Sequence, residues 1–190
     1  MPTKRLGGLL IVLALLMAVT ASIAFPVSYF TAQDEAEREG ILAANRSGWV
    51  TASWLWIAGG VAAAAGVLLV ALSLRGPLAL AGAGLFATGC VFWVIYAYLR
   101  SLDPVFSDEG LWMEAVFAWL TMAALASLGI VFLRTDLPKW VAIVNLGYAL
   151  LFLLAFLLLQ SQLYNFFPPQ GVFVVSLPMG VVALKASFAP

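Results

Sequence analysis

The chain contains no histidine and a single cysteine, and only 9% of its 190 residues are charged. Without imidazole there is no side chain that titrates near neutral pH by default, no His-ligated metal and no His-ligated haem. Cys90 stands in an apolar run with no second thiol in the chain, which excludes an intrachain disulfide and a Cys-cluster metal site. Nine basic and nine acidic side chains cancel, so there is no global positive field to attract nucleic acid. Phosphate-loop, Gly-x-Ser-x-Gly and His-Glu-x-x-His patterns are also missing. Together these absences point away from an enzyme and from any bound cofactor or metal.

What the chain has is apolar mass. Hydrophobic residues make up 64% of it and the mean hydropathy is +1.07, against about 45–50% apolar residues in ordinary soluble domains. Eighteen charged groups could not clothe that much Leu, Ala, Val and Phe in water, so the lipid bilayer is the expected solvent. Five runs come close to or exceed the roughly 20 residues needed to cross about 30 Å of hydrocarbon: 6–25, 49–74, 77–99, 111–133 and 140–159. A sixth run, 168–184, is shorter and carries Pro178, which neighbouring helices can accommodate in a membrane. The expected fold is therefore all-α: a single polytopic bundle of six transmembrane helices with an outer loop at 28–48. A competing pattern exists at the start, where Lys4 and Arg5, an apolar stretch and Ser22-Ile23-Ala24 resemble a secretory leader cleaved after Ala24, which would leave five helices.

Charge placement orients the bundle. With both termini inside and six crossings, Lys4, Arg5, Arg75, Arg134, Lys139 and Lys185 face the cytoplasm with one acid, Asp136. The outer side then holds Arg38, Arg46 and Arg100 against Asp34, Glu35, Glu37, Glu39, Asp103, Asp108, Glu109 and Glu114. Most Lys and Arg fall on one side, which is the bias that sets orientation in short-looped membrane proteins. A bacterial inner membrane is the expected location.

The connections follow from local chemistry. Arg75-Gly76-Pro77 suits a tight inner turn in which Gly76 takes the left-handed conformation and Pro77 opens the next helix. In Arg134-Thr135-Asp136-Leu137-Pro138, Thr135 or Asp136 is positioned to cap the following helix, with Pro138 in its first turn. Residues 32–39 of the first outer loop form a good helix-forming stretch that Gly40 is expected to end. Small residues such as Ala62 with Gly66, and Ala83 with Ala87, predict a close-packed face between the second and third helices. Trp49, Trp54, Trp112 and Trp140 sit near helix ends as interfacial anchors, whereas Trp93 and Trp119 lie deeper and serve packing.

Polar groups at membrane depth carry the functional argument, because each must offset a cost of about 2.5–3.5 kcal/mol when charged. Arg100 ends the third helix and Glu114 lies one turn into the fourth, so with Tyr96, Tyr98 and Asp103 they are candidates for the wall of a small outward pocket. The plainer alternative is a pair of charges snorkelling to the interface. Asn145 and Tyr148 lie within the fifth helix, where contacts across helices are usually structural. Asp34, Glu35, Glu37 and Glu39 form a candidate docking loop for a membrane protein partner or a second copy of the chain.

Leu137-Pro138-Lys139-Trp140, followed by Val141-Ala142-Ile143-Val144-Asn145-Leu146-Gly147-Tyr148, resembles the Leu-Pro-Arg-Trp turn and Gly-containing helix of small six-helix bacterial integral membrane proteins of unknown function. The resemblance extends to the layout of the whole chain: a basic start, one helix, a 20-residue outer loop, two inner hairpins and a final helix. It implies the six-helix fold and supplies no activity. The leading expectation is a non-enzymatic accessory or scaffold subunit working through acidic outer loops. The alternative is a small transporter, channel or binding protein for an apolar or weakly polar ligand.

Overall fold

The computed structural model describes residues 3–25, 27–30, 32–102, 110–159 and 170–185. They form seven α-helices: α1 (Thr3–Ala24), α2 (Glu35–Ala44), α3 (Arg46–Leu74), α4 (Pro77–Leu102), α5 (Leu111–Leu133), α6 (Lys139–Leu159) and α7 (Gly171–Lys185). A 3-10 turn at Val27–Phe30 follows α1, and no strand occurs among the described residues. Helices α1, α3, α4, α5 and α6 are long and apolar enough to cross a membrane. The 15 residues of α7 span about 22 Å, short of the ~30 Å hydrocarbon layer.

Helices α1, α3, α4, α5 and α6 pack in that order, each against the next, α1 and α3 meeting although α2 intervenes in the chain; α7 then closes the circle chiefly against α1. Its seam with α6 is thin, and it also reaches α3 and α5. The centre of this ring is filled. Trp56 meets Trp93 edge-on with centroids 5.2 Å apart, Trp93 lies 4.9 Å from Phe117, and Phe173 of α7 packs 5.8 Å from Trp56 and 6.2 Å from Phe117. Lipid tails are as apolar as these rings, so their mutual dispersion and quadrupole attraction, about 0.5–1.5 kcal/mol per pair, holds the plug together.

The close-packed seams differ from the sequence expectation. Gly66 faces α1 and not α4: a Cβ at Gly66 would stand 2.8 Å from the Gly7 carbonyl oxygen and 2.8 Å from Ile11. One residue on, a Cβ at Gly8 would stand 2.6 Å from the carbonyl oxygen of Gly180. Two adjacent glycines thus let α1 lie backbone to backbone against α3 on one side and α7 on the other. Gly82 and Gly89 face α5, and only Gly60 meets α4, at Trp93 and Val94.

Two turns also depart from expectation. At the α3–α4 turn the left-handed residue is Arg75, with φ 53°, while Gly76 has a negative φ. A residue preceding proline is pushed away from helical toward extended conformations. Gly76 therefore serves as the N-cap whose carbonyl accepts from Leu80 N–H at 3.1 Å, and the chain reversal moves one residue back. At the α5–α6 turn, Thr135 Oγ1 donates back to Phe132 O at 3.1 Å instead of capping α6. Lys139 supplies the other cap, its Nζ donating to the Leu133 and Thr135 carbonyls.

The surface helix α2 runs past Gly40 to Ala44. Asp34 is its N-cap and accepts from Glu37 N–H at 2.8 Å, while the Glu37 carboxylate accepts from Gln33 N–H at 2.7 Å, a variant of the capping box. Asn45 ends α2 and starts α3: its N–H and side-chain Nδ2 donate to Ile41 O, and its own carbonyl accepts from Trp49 N–H at 3.0 Å.

Candidate functional site

Tyr96 and Arg100 are four residues apart on the last turns of α4 and share a face. That face meets the end of α1 and the start of α3. The Arg100 guanidinium carbon lies 4.2 Å from the Trp49 ring centroid, 4.8 Å from Phe25 and 5.9 Å from Tyr96. Trp49 Nε1 donates to the Arg100 carbonyl oxygen at 2.9 Å, which fixes the indole against the helix end. Arg100 Nε is buried with no hydrogen-bond acceptor. Cation–π attraction to desolvated rings, worth about 2 kcal/mol, is what offsets removing the guanidinium from water. Its charge also sits near the C-terminus of α4, where the helix dipole favours a cation.

Glu114 enters from the first turn of α5, in electrostatic contact with both Arg100 and Tyr96. Gln170, just before α7, donates from Nε2 to Glu114 Oε1 at 3.4 Å, a long bond. Five helices thus converge on one arginine and one carboxylate. Of the residues named from sequence, Arg100, Tyr96 and Glu114 are brought together. Tyr98 is not: two residues from Arg100 means a rotation of about 200° around the helix, and its ring is 45% exposed beside Trp54 on the outer face of the bundle. Asp103 lies outside the described residues.

Sequence reasoning missed Phe25, Trp49 and Gln170. Trp49 was expected at the lipid interface, yet it is 1% exposed. A signal for it existed: Trp49, Ala52, Ser53, Trp56, Gly59, Gly60 and Ala63 recur at helical spacing and are all buried, whereas Trp54 falls between them and is 54% exposed. Nothing local marks Gln170 or Phe25, because their roles depend on where α7 and α1 end relative to α4.

The remaining buried polar groups are mostly satisfied within their own helices. Ser53, Thr121 and Ser176 each donate to the carbonyl four residues back, at 2.9, 2.7 and 2.7 Å. They offer no converging donors for a ligand. Asn145 is fully buried, and neither its Oδ1 nor its Nδ2 has a hydrogen-bond partner among the described residues. Around α6 it falls between Leu146, which packs on Gly129 of α5, and Tyr148, whose hydroxyl abuts Gly171 of α7. Among the described residues no group of three His, Cys, Asp or Glu could hold a metal ion.

The four docking-loop acids belong to α2 and its cap. Asp34 and Glu37 are spent in part on capping, Glu39 is exposed, and Glu35 is the first residue of the helix. Arg38 lies over the ring of Tyr29, 5.7 Å from its centroid. A bundle with five helices fit to cross a membrane, a closed aromatic axis and its polar groups gathered at one end is what the fold defines. No family model, curated protein or solved structure matches the chain, so its function is argued from its own residues.

Proposed function

We propose that the chain is a non-enzymatic integral membrane protein with six crossings and both termini inside, acting as an accessory or scaffold subunit. Its contact surface is the acidic helix α2 on the outer side, and its partner is another membrane protein presenting basic residues. A bacterial inner membrane is the location this reading implies, in line with the likeness to small six-helix bacterial membrane proteins. The observation that carries it is the form of α2. The helix is capped at both ends and stands at the rim with Glu37 and Glu39 exposed, while the ring behind it is plugged by Trp56, Trp93, Phe117 and Phe173. An acidic face held in a fixed shape, and an axis crossed by packed aromatic rings, favour docking over conduction. The test is copurification of natively expressed protein. Deleting residues 34–39 is expected to abolish association with the partner, and Glu37→Gln with Glu39→Gln to weaken it most at low salt, the deficit shrinking as salt screens the wild-type attraction. Association unchanged in both variants refutes the reading.

A second reading, a binding protein for an apolar ligand, is favoured by one feature. Between α3 and α4 an open groove of about 220 Å³ is lined by Gly60, Val61, Ala64, Ala87, Cys90 and Val91. It faces outward from the ring and is almost wholly apolar. If it serves a specific molecule, mass spectrometry of the native protein shows one retained species that Ala64→Leu expels. A spread of ordinary membrane lipids unaffected by Ala64→Leu counts against it.

A further inference from the structure

Outside its joint with α3 at Asn45, and the packing of Leu42 on the core, α2 is attached to the bundle through the 3-10 turn. That attachment is a column of alternating charge and ring. Arg38 of α2 covers Tyr29, 5.7 Å from its centroid. Tyr29 packs 5.5 Å from Trp49 and 6.0 Å from Phe25, which are themselves 4.9 Å apart. Beneath them lies Arg100, 4.2 Å from Trp49 and 4.8 Å from Phe25. Glu114 of α5 lies within electrostatic range of Arg100 and takes the long hydrogen bond from Gln170 at the head of α7. Each step joins a different element, so the column runs from the outer surface to the start of the last helix.

We propose that this column is a coupling device: a load placed on α2 moves Tyr29 and Trp49, shifts the Arg100 guanidinium between its rings, and thereby loosens or tightens the Glu114–Gln170 contact that seats α7. Three physical features support it. Trp49 is held at both ends, by Arg100 on its ring face and by its indole N–H on the Arg100 carbonyl, so ring and arginine move together. The last contact, at 3.4 Å, is the weakest hydrogen bond of the set and the natural point of release. Packed groups of this kind repack in discrete steps and do not deform smoothly. The biological use of the device rests on α2 being the docking surface; the coupling itself does not.

Amide hydrogen exchange of the full chain in lipid nanodiscs tests it, read at Arg38–Ala44 of α2 and at the first turns of α7, residues 173–177. Tyr29→Leu keeps apolar bulk but removes the ring between the two arginines. It is expected to speed exchange in α2 by about tenfold and, by a smaller factor, in α7, which Tyr29 does not touch. Arg100→Lys keeps the charge facing Glu114 but not the planar face, so it should loosen α2 and leave α7 nearly unchanged. Arg100→Gln should loosen both, and combined with Tyr29→Leu it should do no more than the larger single effect. An effect of Tyr29→Leu confined to α2, or a double variant whose factors multiply, overturns the proposal. Should Arg100→Gln fail to fold, Tyr29→Leu alone still decides. Coupled exchange together with copurification that survives deletion of residues 34–39 refutes the docking reading and leaves the coupling standing.

Discussion

Gly66→Ala adds one methyl group at the α1–α3 seam, and two effects of opposite sign compete. Alanine is the better helix former by about 0.8–1.0 kcal/mol, a gain that applies wherever a helical glycine has room. Gly66 has none: its Cβ would stand 2.8 Å from the Gly7 carbonyl oxygen, 2.8 Å from Ile11 Cγ1 and 3.0 Å from the Ile11 backbone nitrogen. Two of these obstacles are backbone atoms that no rotamer change can move, so α1 and α3 must separate. Overpacking of this kind costs about 1–3 kcal/mol, and separating the helices forfeits dispersion contacts along the seam besides. A net loss of about 1–2 kcal/mol is expected once the propensity gain is subtracted. Gly84→Ala is the matched control, because a Cβ there has nothing within 4 Å and should bring only the gain. Reversible unfolding in mixed detergent micelles, with both variants in one series, measures the difference. Equal stabilities would mean that α1 and α3 do not meet at these glycines.

Four further outcomes follow from other parts of the chain. Arg75→Gly relieves a non-glycine residue at φ 53° and should stabilise by up to about 1 kcal/mol in the same unfolding assay, whereas Gly76→Ala should change little. Trp93→Ala opens the aromatic plug at a ring that touches Trp56, Tyr96, Phe117 and Phe173, and should cost about 3–5 kcal/mol; Trp119→Ala, at a ring half open to the surroundings, should cost clearly less. Asp34→Ala removes the side-chain acceptor for Glu37 N–H and should cost α2 about 1 kcal/mol, seen as faster amide exchange at Glu37 and Arg38, while Asp34→Asn should restore protection. Cys90 is 2% exposed inside the bundle, so a water-soluble maleimide should label it only as fast as the protein unfolds.

Helix existence was legible in the sequence because membrane depth imposes a length, and length survives without knowledge of neighbours. The run 111–133 was placed to the residue, and the others within a few positions, since their ends are marked by Pro77, Lys139 and Lys185. Helix partnership was not legible. Gly66 sits in a run of small residues that would fit any neighbour, and what chose α1 was a matching glycine, Gly7, 59 residues away in the chain. The turns failed for a local reason that a stricter argument could have caught: a glycine before proline is the wrong place for the left-handed residue. For the site, i to i+4 spacing linked Tyr96 with Arg100, and the same geometry should have separated Tyr98 from both.

The distribution of polar groups narrows where recognition can occur. Along the axis, Ser53, Thr121 and Ser176 turn inward to their own carbonyls, and the rings of Trp93, Phe117 and Phe173 pack on one another, with Trp93 Nε1 buried and without an acceptor among the described residues. At the end of the bundle where α4 finishes, charged groups come in. Arg100 is held between rings with Nε unpaired, Glu114 takes one long bond, and the exposed acids of α2 stand above them. Charges are costly near a bilayer, and here Arg100 of α4 and Glu114 of α5 are met by Phe25 after α1, Trp49 of α3 and Gln170 before α7. A helix end that only needed to reach water could have used one lysine, as the exposed Lys185 does elsewhere in this chain. Gathering Phe25, Trp49 and Tyr96 about one arginine instead ties α2, through Arg38 and Tyr29, to the packed core.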